Sequence, residues 1–333
     1  MMKSVLVLTE AGSEIGYGHL TRCRSIAAAF RQRGYRTTSL VESDDVALED
    51  NEYLVHWHDP DSIPNSALKE AGIVVFDSYL AGDGIVSMLE SSHPCLVAID
   101  DYRRRDYNRG IVVDWTVDAE FNSYPCRKIG VTYALGSAYC ALRPPFWTPS
   151  GRKFSDVPAG ILVTLGGSDI RRLTFPLTAS LMKRFPGTPI HAVVGGGVPK
   201  SDAYRQLMRE GAGVHFDLSP TAMRDLMDRV DLAVSGGGQT LYELANRGLP
   251  SVVIDLIDNQ AEDILGFSNK GFASRAGRWD APDLNYSVET RLGELWAVER
   301  RESAAKEGLR LVDGQGALRL VAEIERTFEA TFR

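Results

Sequence analysis

Gly16-Tyr17-Gly18-His19-Leu20-Thr21-Arg22 gathers two glycines, a histidine and an arginine where a strand gives way to a helix. An apolar run from Ser4 to Thr9 precedes it, uncharged until Glu10, and a helical pattern follows as far as Gly34. Glycines let the chain turn tightly and let a ligand approach the backbone. The start of a helix adds unpaired N–H groups and positive dipole character, which suit an anion. A histidine at that place sits beside the anion and exchanges protons near neutral pH. His19 is therefore placed for proton exchange beside a bound ligand, with Gly16 and Gly18 letting that ligand approach and Arg22 one turn on. The plainer alternative is a glycine turn with a helix-capping polar residue.

The second half carries two further glycine loops, each after an apolar strand. Leu165-Gly166-Gly167-Ser168-Asp169 follows Ile161 to Thr164, and Ser235-Gly236-Gly237-Gly238-Gln239-Thr240 follows Asp231 to Val234. Amides of such loops can cradle a diphosphate, with Ser168, Ser235 and Thr240 adding hydroxyl donors. Glu243 lies one turn into the helix after the second loop, where its carboxylate could accept both hydroxyls of a ribose. Otherwise it is a solvated helix residue, and the glycines only permit close packing. Two loops at strand ends of one domain favour nucleotide binding.

Other chemistries lack their residues. No G-x-x-x-x-G-K-[ST] occurs, which sets aside a P-loop phosphotransferase. Thr21 stands where G-x-G-x-x-G needs its third glycine, although Glu42 at the end of the second strand mimics a ribose-binding acid and keeps an oxidoreductase as an alternative. His56-Trp57-His58-Asp59 matches no zinc spacing and reads as a strand end or turn. No metal and no cofactor is expected. The chain has 333 residues, 44% hydrophobic and 24% charged, with a formal net charge of -7. That balance describes an ordinary soluble globular protein and argues against a general nucleic-acid binder. Cys23, Cys95, Cys126 and Cys140 show no close pairing, so neither a disulfide frame nor a zinc knuckle is expected. The short apolar start suggests no signal peptide and no membrane span, and the cytoplasm is the expected compartment.

Short apolar strands alternate with helical patterns throughout. Val5–Leu8, Thr38–Val41, Ile73–Phe76 and Leu96–Ile99 read as buried strands, with a helix over His19–Arg33. A Pro- and Ser-bearing stretch then intervenes, and a second series begins: Ile161–Thr164, Ile190–Val194, Val214–Phe216, Leu232–Val234 and Ser251–Ile254. Two consecutive βαβ series imply an α/β protein with two Rossmann-like parallel-sheet domains and a cleft between them. The expected division is 1–145, a linker 146–158, a nucleotide-binding domain 159–315, and an amphipathic C-terminal helix in 316–333 packed on the body of the protein.

Taken in order, these residues resemble the UDP-sugar hydrolases of pseudaminic acid biosynthesis, which are similar to the spore coat polysaccharide biosynthesis proteins. Gly16-x-Gly18-His19-x-x-Arg22, both later glycine loops and Glu243 carry the resemblance. So do Asp77-Ser78-Tyr79, Asp100-Asp101, Leu142-Arg143-Pro144 and Asp258-Asn259-Gln260. The stretch Val113 to Asp118, and Gln239 within the third loop, depart from the family pattern. The resemblance implies the GT-B fold and release of UDP from UDP-2,4-diacetamido-2,4,6-trideoxy-β-L-altropyranose or a related sugar. It implies His19 as catalytic residue, Ser235 to Thr240 on the diphosphate, Glu243 on the ribose, and Asn259 and Gln260 at the far side of the substrate. Tyr79, Asp77 and Asp100 would lie on the sugar side.

Water would attack the anomeric carbon with UDP as leaving group, its charge neutralised by backbone amides. A neutral His19 would orient or deprotonate that water. Asp77 or Asp100 would fix its tautomer, unless either is a capping or turn carboxylate. Arg22 would meet phosphate or pair with a carboxylate in the helix. Two rivals share the nucleotide loops: a GT-B glycosyltransferase with a UDP-sugar donor, and a noncatalytic nucleotide-sugar binding module. Membrane-acceptor transferases show an apolar and basic patch. Here Arg103-Arg104-Arg105, between Tyr102 and Tyr107, lacks an adjoining apolar stretch and reads as a solvated loop. The expected partner is a UDP-sugar, with no stable membrane insertion; the oligomeric state stays open.

Overall fold

A computed structural model describes residues 4–12, 15–44, 46–93, 95–101, 103–122, 124, 127–148 and 150–331. Cys126 and Tyr102 lie outside the described residues. The chain divides into two compact units, residues 1–144 with 315–333, and residues 145–314.

The first unit is built on seven parallel strands: β1 (Ser4–Glu10), β2 (Arg36–Glu42), β3 (Glu52–Leu54), β4 (Ile73–Asp77), β5 (Leu96–Ile99), β6 (Gly110–Asp114) and β7 (Val131–Leu135). Their order is β3-β2-β1-β4-β5-β6-β7. Helices α1 (Gly18–Gln32), α2 (Asn65–Glu70), α3 (Asp83–Ser92) and α4 (Ala119–Asn122) join them. Every residue of β1, β4, β5 and β6 is buried. Strands covered on both faces need near-continuous apolar runs, and Val5-Leu6-Val7-Leu8 and Ile73-Val74-Val75-Phe76 supply them. Trp57 is fully buried against Phe76 and donates its indole N–H to the Thr9 carbonyl at 2.9 Å. The His56-to-Asp59 cluster is thus the turn after β3, fastened by its tryptophan.

The second unit holds β8 (Ile161–Thr164), β9 (Ile190–Val194), β10 (Gly213–Phe216), β11 (Leu232–Gly236), β12 (Ser251–Asp255) and β13 (Ala273–Arg278), ordered β10-β9-β8-β11-β12-β13. Its helices are α5 (Thr174–Arg184), α6 (Asp202–Arg209), α7 (Pro220–Met227), α8 (Gln239–Asn246), α9 (Ala261–Asn269), α10 (Leu284–Glu294) and α11 (Val298–Leu311). Apolar residues of β8, β11 and β12 pack with Leu177, Leu181, Val288 and Leu292 into its core. The stretch read as a linker is fastened to this unit. Phe146 is fully buried, and Arg152 donates from Nε to the Arg247 carbonyl at 2.9 Å and from its other nitrogens to the Val230 and Met227 carbonyls.

In both sheets the strand order reverses beside the first strand of the unit. The two reversal points, between β1 and β4 and between β8 and β11, are where doubly wound sheets bind ligands, at the carboxyl ends of the strands. The His19 loop leaves β1, and the two later glycine loops leave β8 and β11.

The last helix, α12 (Gly316–Thr331), packs on α1 of the first unit. Ala317, Leu320, Val321, Ile324 and Phe328 make its buried stripe, at the three- and four-residue spacing of one helix face. Arg33 on the α1 side meets Glu325 at 2.8 Å, an exposed pair worth little beside that stripe. Leu320→Ala should destabilise the protein by about 2–5 kcal/mol, the usual cost of a cavity at a fully buried leucine. A urea melt would check this, and an unchanged midpoint would mean that the stripe contributes nothing to folding.

Candidate active site

The carboxyl ends of β1 and β4 lie side by side, with Thr9 in register with Asp77. Parallel pairing therefore brings Glu10 and Asp77 to one rim of the sheet, beneath the loop that carries His19. Gly16 adopts φ +79 and its backbone bonds back to Gly12, with Gly16 N to Gly12 O at 2.7 Å and Gly12 N to Gly16 O at 3.1 Å. That closes the loop and delivers Gly18 and His19 as the first residues of α1.

Asp77 is the centre of the cluster. His19 Nδ1 lies 2.7 Å from Asp77 Oδ1, and Arg22 donates from Nε to Oδ2 and from Nη2 to Oδ1, both at 2.6 Å. Arg22 Nη1 also meets Asp101, and the guanidinium lies over the Trp115 ring at 5.2 Å. Burial alone would push the Asp77 carboxyl up, but the Arg22 guanidinium and then His19 hold it well below the usual carboxylate range. For Arg22, burial works against the charge, and Asp101 and Asp77 more than restore it. Being ionised, Asp77 can only accept, so Nδ1 carries the proton of neutral His19 and Nε2 is the basic nitrogen. Burial and Asp77 raise the Cys23 thiol well above its ordinary value, which removes it as a nucleophile.

Glu10 faces the other ring nitrogen. Its Oε1 is 3.9 Å from His19 Nε2 and accepts the Tyr79 amide at 2.6 Å; its Oε2 accepts the Ser78 hydroxyl and His58 Nε2, the latter at 3.1 Å. Burial raises this carboxyl, and the bonds from His58, Ser78 and Tyr79 outweigh burial and lower it. Tyr79 packs edge-on to His19 with ring centres 4.3 Å apart and donates to Asp101 at 2.9 Å. Its phenol is pushed up chiefly by burial, so it stays a donor.

Several expectations change in this setting. Of the two carboxylates offered to His19, Asp77 takes the place. Asp100 instead accepts the amides of Arg104 and Arg105 at 3.1 and 3.2 Å as a turn carboxylate, and burial raises it. Arg22 pairs with Asp77 and Asp101, both outside its own helix. The Arg103-to-Arg105 loop is solvated only in part: Arg104 is exposed, Arg103 and Arg105 half-buried. Arg104 and Arg105 donate to the carbonyls of Ser78, Tyr79 and Ala81 and so clamp the segment that follows β4. Glu10, Asp101 and His58 were not singled out for this site. The available signal was an isolated acid ending an apolar strand, as in Glu10 and Glu42, which the β1–β2 register sets opposite each other.

In the second unit, Gly166 has φ +89 and open space where a side chain would start, so its glycine serves the turn. Gly167 is held by the Gly197 amide at 3.1 Å, and a Cβ on Gly195 would stand 2.2 Å from the Gly167 oxygen. Ser168 is half-buried, and Asp169 caps α5 through the amides of Leu173 and Thr174, both at 3.0 Å. After β11, a Cβ on Gly236 or Gly237 would strike Leu256 or Ile264 at 2.6 and 2.5 Å, so these two glycines permit close packing. Gln260 accepts the Gly237 amide at 3.1 Å, which ties it to the loop, while Asn259 is exposed. Gly238 caps α8, which opens with Gln239 and Thr240, so the positive end of that helix lies at the loop. Glu243 is buried, which rules out a solvated helix residue. Ser235 Oγ is buried with no hydrogen-bond partner among the described residues.

No family model matches the chain. The spore coat polysaccharide biosynthesis protein SpsG of Bacillus subtilis is 23% identical over 97% of this chain and 98% of its own length. A Helicobacter pylori protein, named as pseudaminic acid cytidylyltransferase and UDP-2,4-diacetamido-2,4,6-trideoxy-beta-L-altropyranose hydrolase, is 23% identical over 92% of this chain. The match spans 56% of that protein's length. Among solved structures, Acinetobacter baumannii MurG matches with a TM-score of 0.64 at 16% identity, covering 97% of this chain and 99% of its own. The fold is GT-B. The homologues are those that the motif order resembles, at modest identity. Among the described residues no helix is long and apolar enough to cross a membrane.

Asp77→Asn should cost about 3–5 kcal/mol at neutral pH, because it leaves Arg22 buried with one partner fewer. The pH dependence has a definite sign. A carboxylate depressed in the folded state adds stability above its ordinary value, here 3.8, and that stability is lost as pH falls toward the folded value. Denaturant melts between pH 3 and 7 should therefore lose an acid-dependent component in the variant. Parallel pH curves for variant and parent would show that Asp77 is not the linked group.

Proposed function

We propose that this protein is a hydrolase that removes UDP from a UDP-linked deoxy-diacetamido sugar, by water attack at the anomeric carbon, in nonulosonic acid or surface polysaccharide biosynthesis in the cytoplasm. One observation carries the reading: His19 has its Nδ1 held on an ionised, buried Asp77, so Nε2 is left as base. Since Arg22 shares the same carboxylate in bidentate fashion, Asp77 fixes the ring more than it strengthens the base. The hydrolase name of the Helicobacter pylori relative supports the reaction type.

The first unit would act on the sugar side, with Gly16, Gly18 and Tyr79 near the substrate and Asp77 acting through His19. The second would hold UDP: the Gly166-Gly167-Ser168 turn and the Ser235-to-Thr240 loop at the diphosphate, Glu243 at the ribose, and Asn259 with Gln260 at the far side. The unpartnered Ser235 hydroxyl and the positive end of α8 support that assignment. Amides and hydroxyls would neutralise the leaving UDP, so proton donation to it contributes little.

In oxygen-18 water with no acceptor, UDP release from a panel of UDP-sugars should place label in the sugar and none in UDP, read at short times before exchange at the anomeric hydroxyl. His19→Asn should slow release by ~10²–10⁴-fold and leave UDP affinity nearly unchanged. Label in UDP would put the attack on phosphorus. Release only after an acceptor is added would make the protein a glycosyltransferase. Independently, Glu243→Gln should weaken UDP binding by about 1.5–3 kcal/mol through loss of charge-assisted bonds. Calorimetry finding parental affinity in the folded variant would take Glu243 off the ribose.

A further inference from the structure

A carboxylate offers about four lone-pair positions. Three of those on Glu10 are taken, by the Tyr79 amide on Oε1 and by Ser78 and His58 on Oε2. The remaining position is on Oε1, the atom 3.9 Å from His19 Nε2. Among the described residues no hydrogen bond reaches Nε2; those of the ring are at Nδ1. The gap is too long for a direct bond and suited to a bridged one, because a water about 2.8 Å from each atom spans it.

We propose that Glu10 is a second catalytic carboxylate, and that its Oε1 and His19 Nε2 hold the attacking water between them. This rests on the hydrolase reading above. One water hydrogen points at Nε2 and the other at Oε1, leaving an oxygen lone pair for the anomeric carbon. As the carbon–oxygen bond forms, the bond from that carbon to the UDP oxygen breaks, and its electron pair leaves with UDP. The proton from the water passes to Nε2. The imidazolium then lies between Asp77 and Glu10 and later releases its proton to solvent.

Around the ring stand Glu10 at the end of β1, Asp77 from β4, Arg22 from its own helix, and Tyr79 beyond β4. Asp101 acts through Arg22, Cys23 touches Asp77 at 3.5 Å, and His58 acts through Glu10. Of these, Glu10 is the acid on the Nε2 side. The His56-to-Asp59 turn, fastened by Trp57, thereby contributes an anchor to the site: His58 fixes Oε2 and so aims Oε1.

Glu10→Gln keeps the shape and removes the charge. It should lower kcat for UDP release by roughly 10²-fold, as for a misplaced nucleophile, with UDP Kd unchanged. Nitrogen-15 NMR of the His19 ring at one fixed pH should show the Nε2 signal moved from its parental position and the Nδ1 signal, held by Asp77, in place. Glu10→Asp keeps the charge but draws it back by one methylene, so it should move the Nε2 signal less and still lose turnover. Parental turnover in a folded Glu10→Gln variant, or an unmoved Nε2 signal, would overturn the proposal. The NMR measurement needs no turnover. A parent that releases no UDP to water would sink the hydrolase reading, while the Nε2 signal would still decide whether Glu10 acts on that nitrogen.

Discussion

The first unit depends on a carboxylate that an arginine and a histidine share. Asp77 is fully buried, and both of its oxygens are engaged by Arg22, one of them also by His19. Leaving any of these groups unpaired in the interior would cost several kcal/mol. The cluster is therefore stable only when complete, and completeness fixes geometry. Arg22 must come off α1 one turn after His19, α1 must start at Gly18, and β1 must hand over to it through the closed Gly12–Gly16 loop. A buried ionic cluster is weak evidence for stability but strong evidence for position. Replacing it with apolar side chains would pack as well and would orient nothing.

The second unit solves a different problem with similar topology. Its reversal point carries glycines in place of charges, and the glycines divide by physical cause. Gly166 supplies a positive φ, whereas Gly236 and Gly237 let Leu256, Ile264 and Gln260 come close. Close packing on one side of a loop makes it rigid, which favours fixed amides for a diphosphate. The packing reading and the binding reading of these glycines are thus not rivals.

Apolar runs make most strands legible in the sequence, although β6 (Gly-Ile-Val-Val-Asp), buried throughout, is absent from that reading. The strands at the two reversal points, β1, β4, β8 and β11, are continuous apolar runs and declare themselves. β13, with the sequence Ala-Ser-Arg-Ala-Gly-Arg, is an edge strand with a register irregularity opposite Val253 and Ile254, and it has no apolar period to read. Short β3 at the opposite edge is mostly exposed and equally silent. In the candidate site, His19, Arg22 and Asp77 were legible from residue type and place. What was not legible is pairing across strands. Glu10 and Asp77 are 67 positions apart in the sequence and reach the same histidine only because β1 and β4 run parallel with Thr9 opposite Asp77. Arg104 and Arg105 looked like solvent-facing charge because their acceptors are backbone carbonyls, which every residue carries.

A histidine with a carboxylate on each side answers a requirement that a transferase and a hydrolase meet differently. Both must take a proton from an attacking hydroxyl, and a fixed Nε2 serves either. A transferase orients its nucleophile through the rest of the acceptor molecule. Water has no such handle; it has two hydrogens and must be held by both if its lone pair is to aim at carbon. One basic nitrogen leaves the second hydrogen loose, and the entropy of that rotation remains in the barrier. An acceptor oxygen on the far side of the gap removes it. In this chain that oxygen belongs to a residue whose other positions are fixed by Tyr79, Ser78 and His58, so it cannot turn away. On the proposed hydrolase reading, the fourth position on Glu10 is where water would find the second acceptor that a larger nucleophile does without.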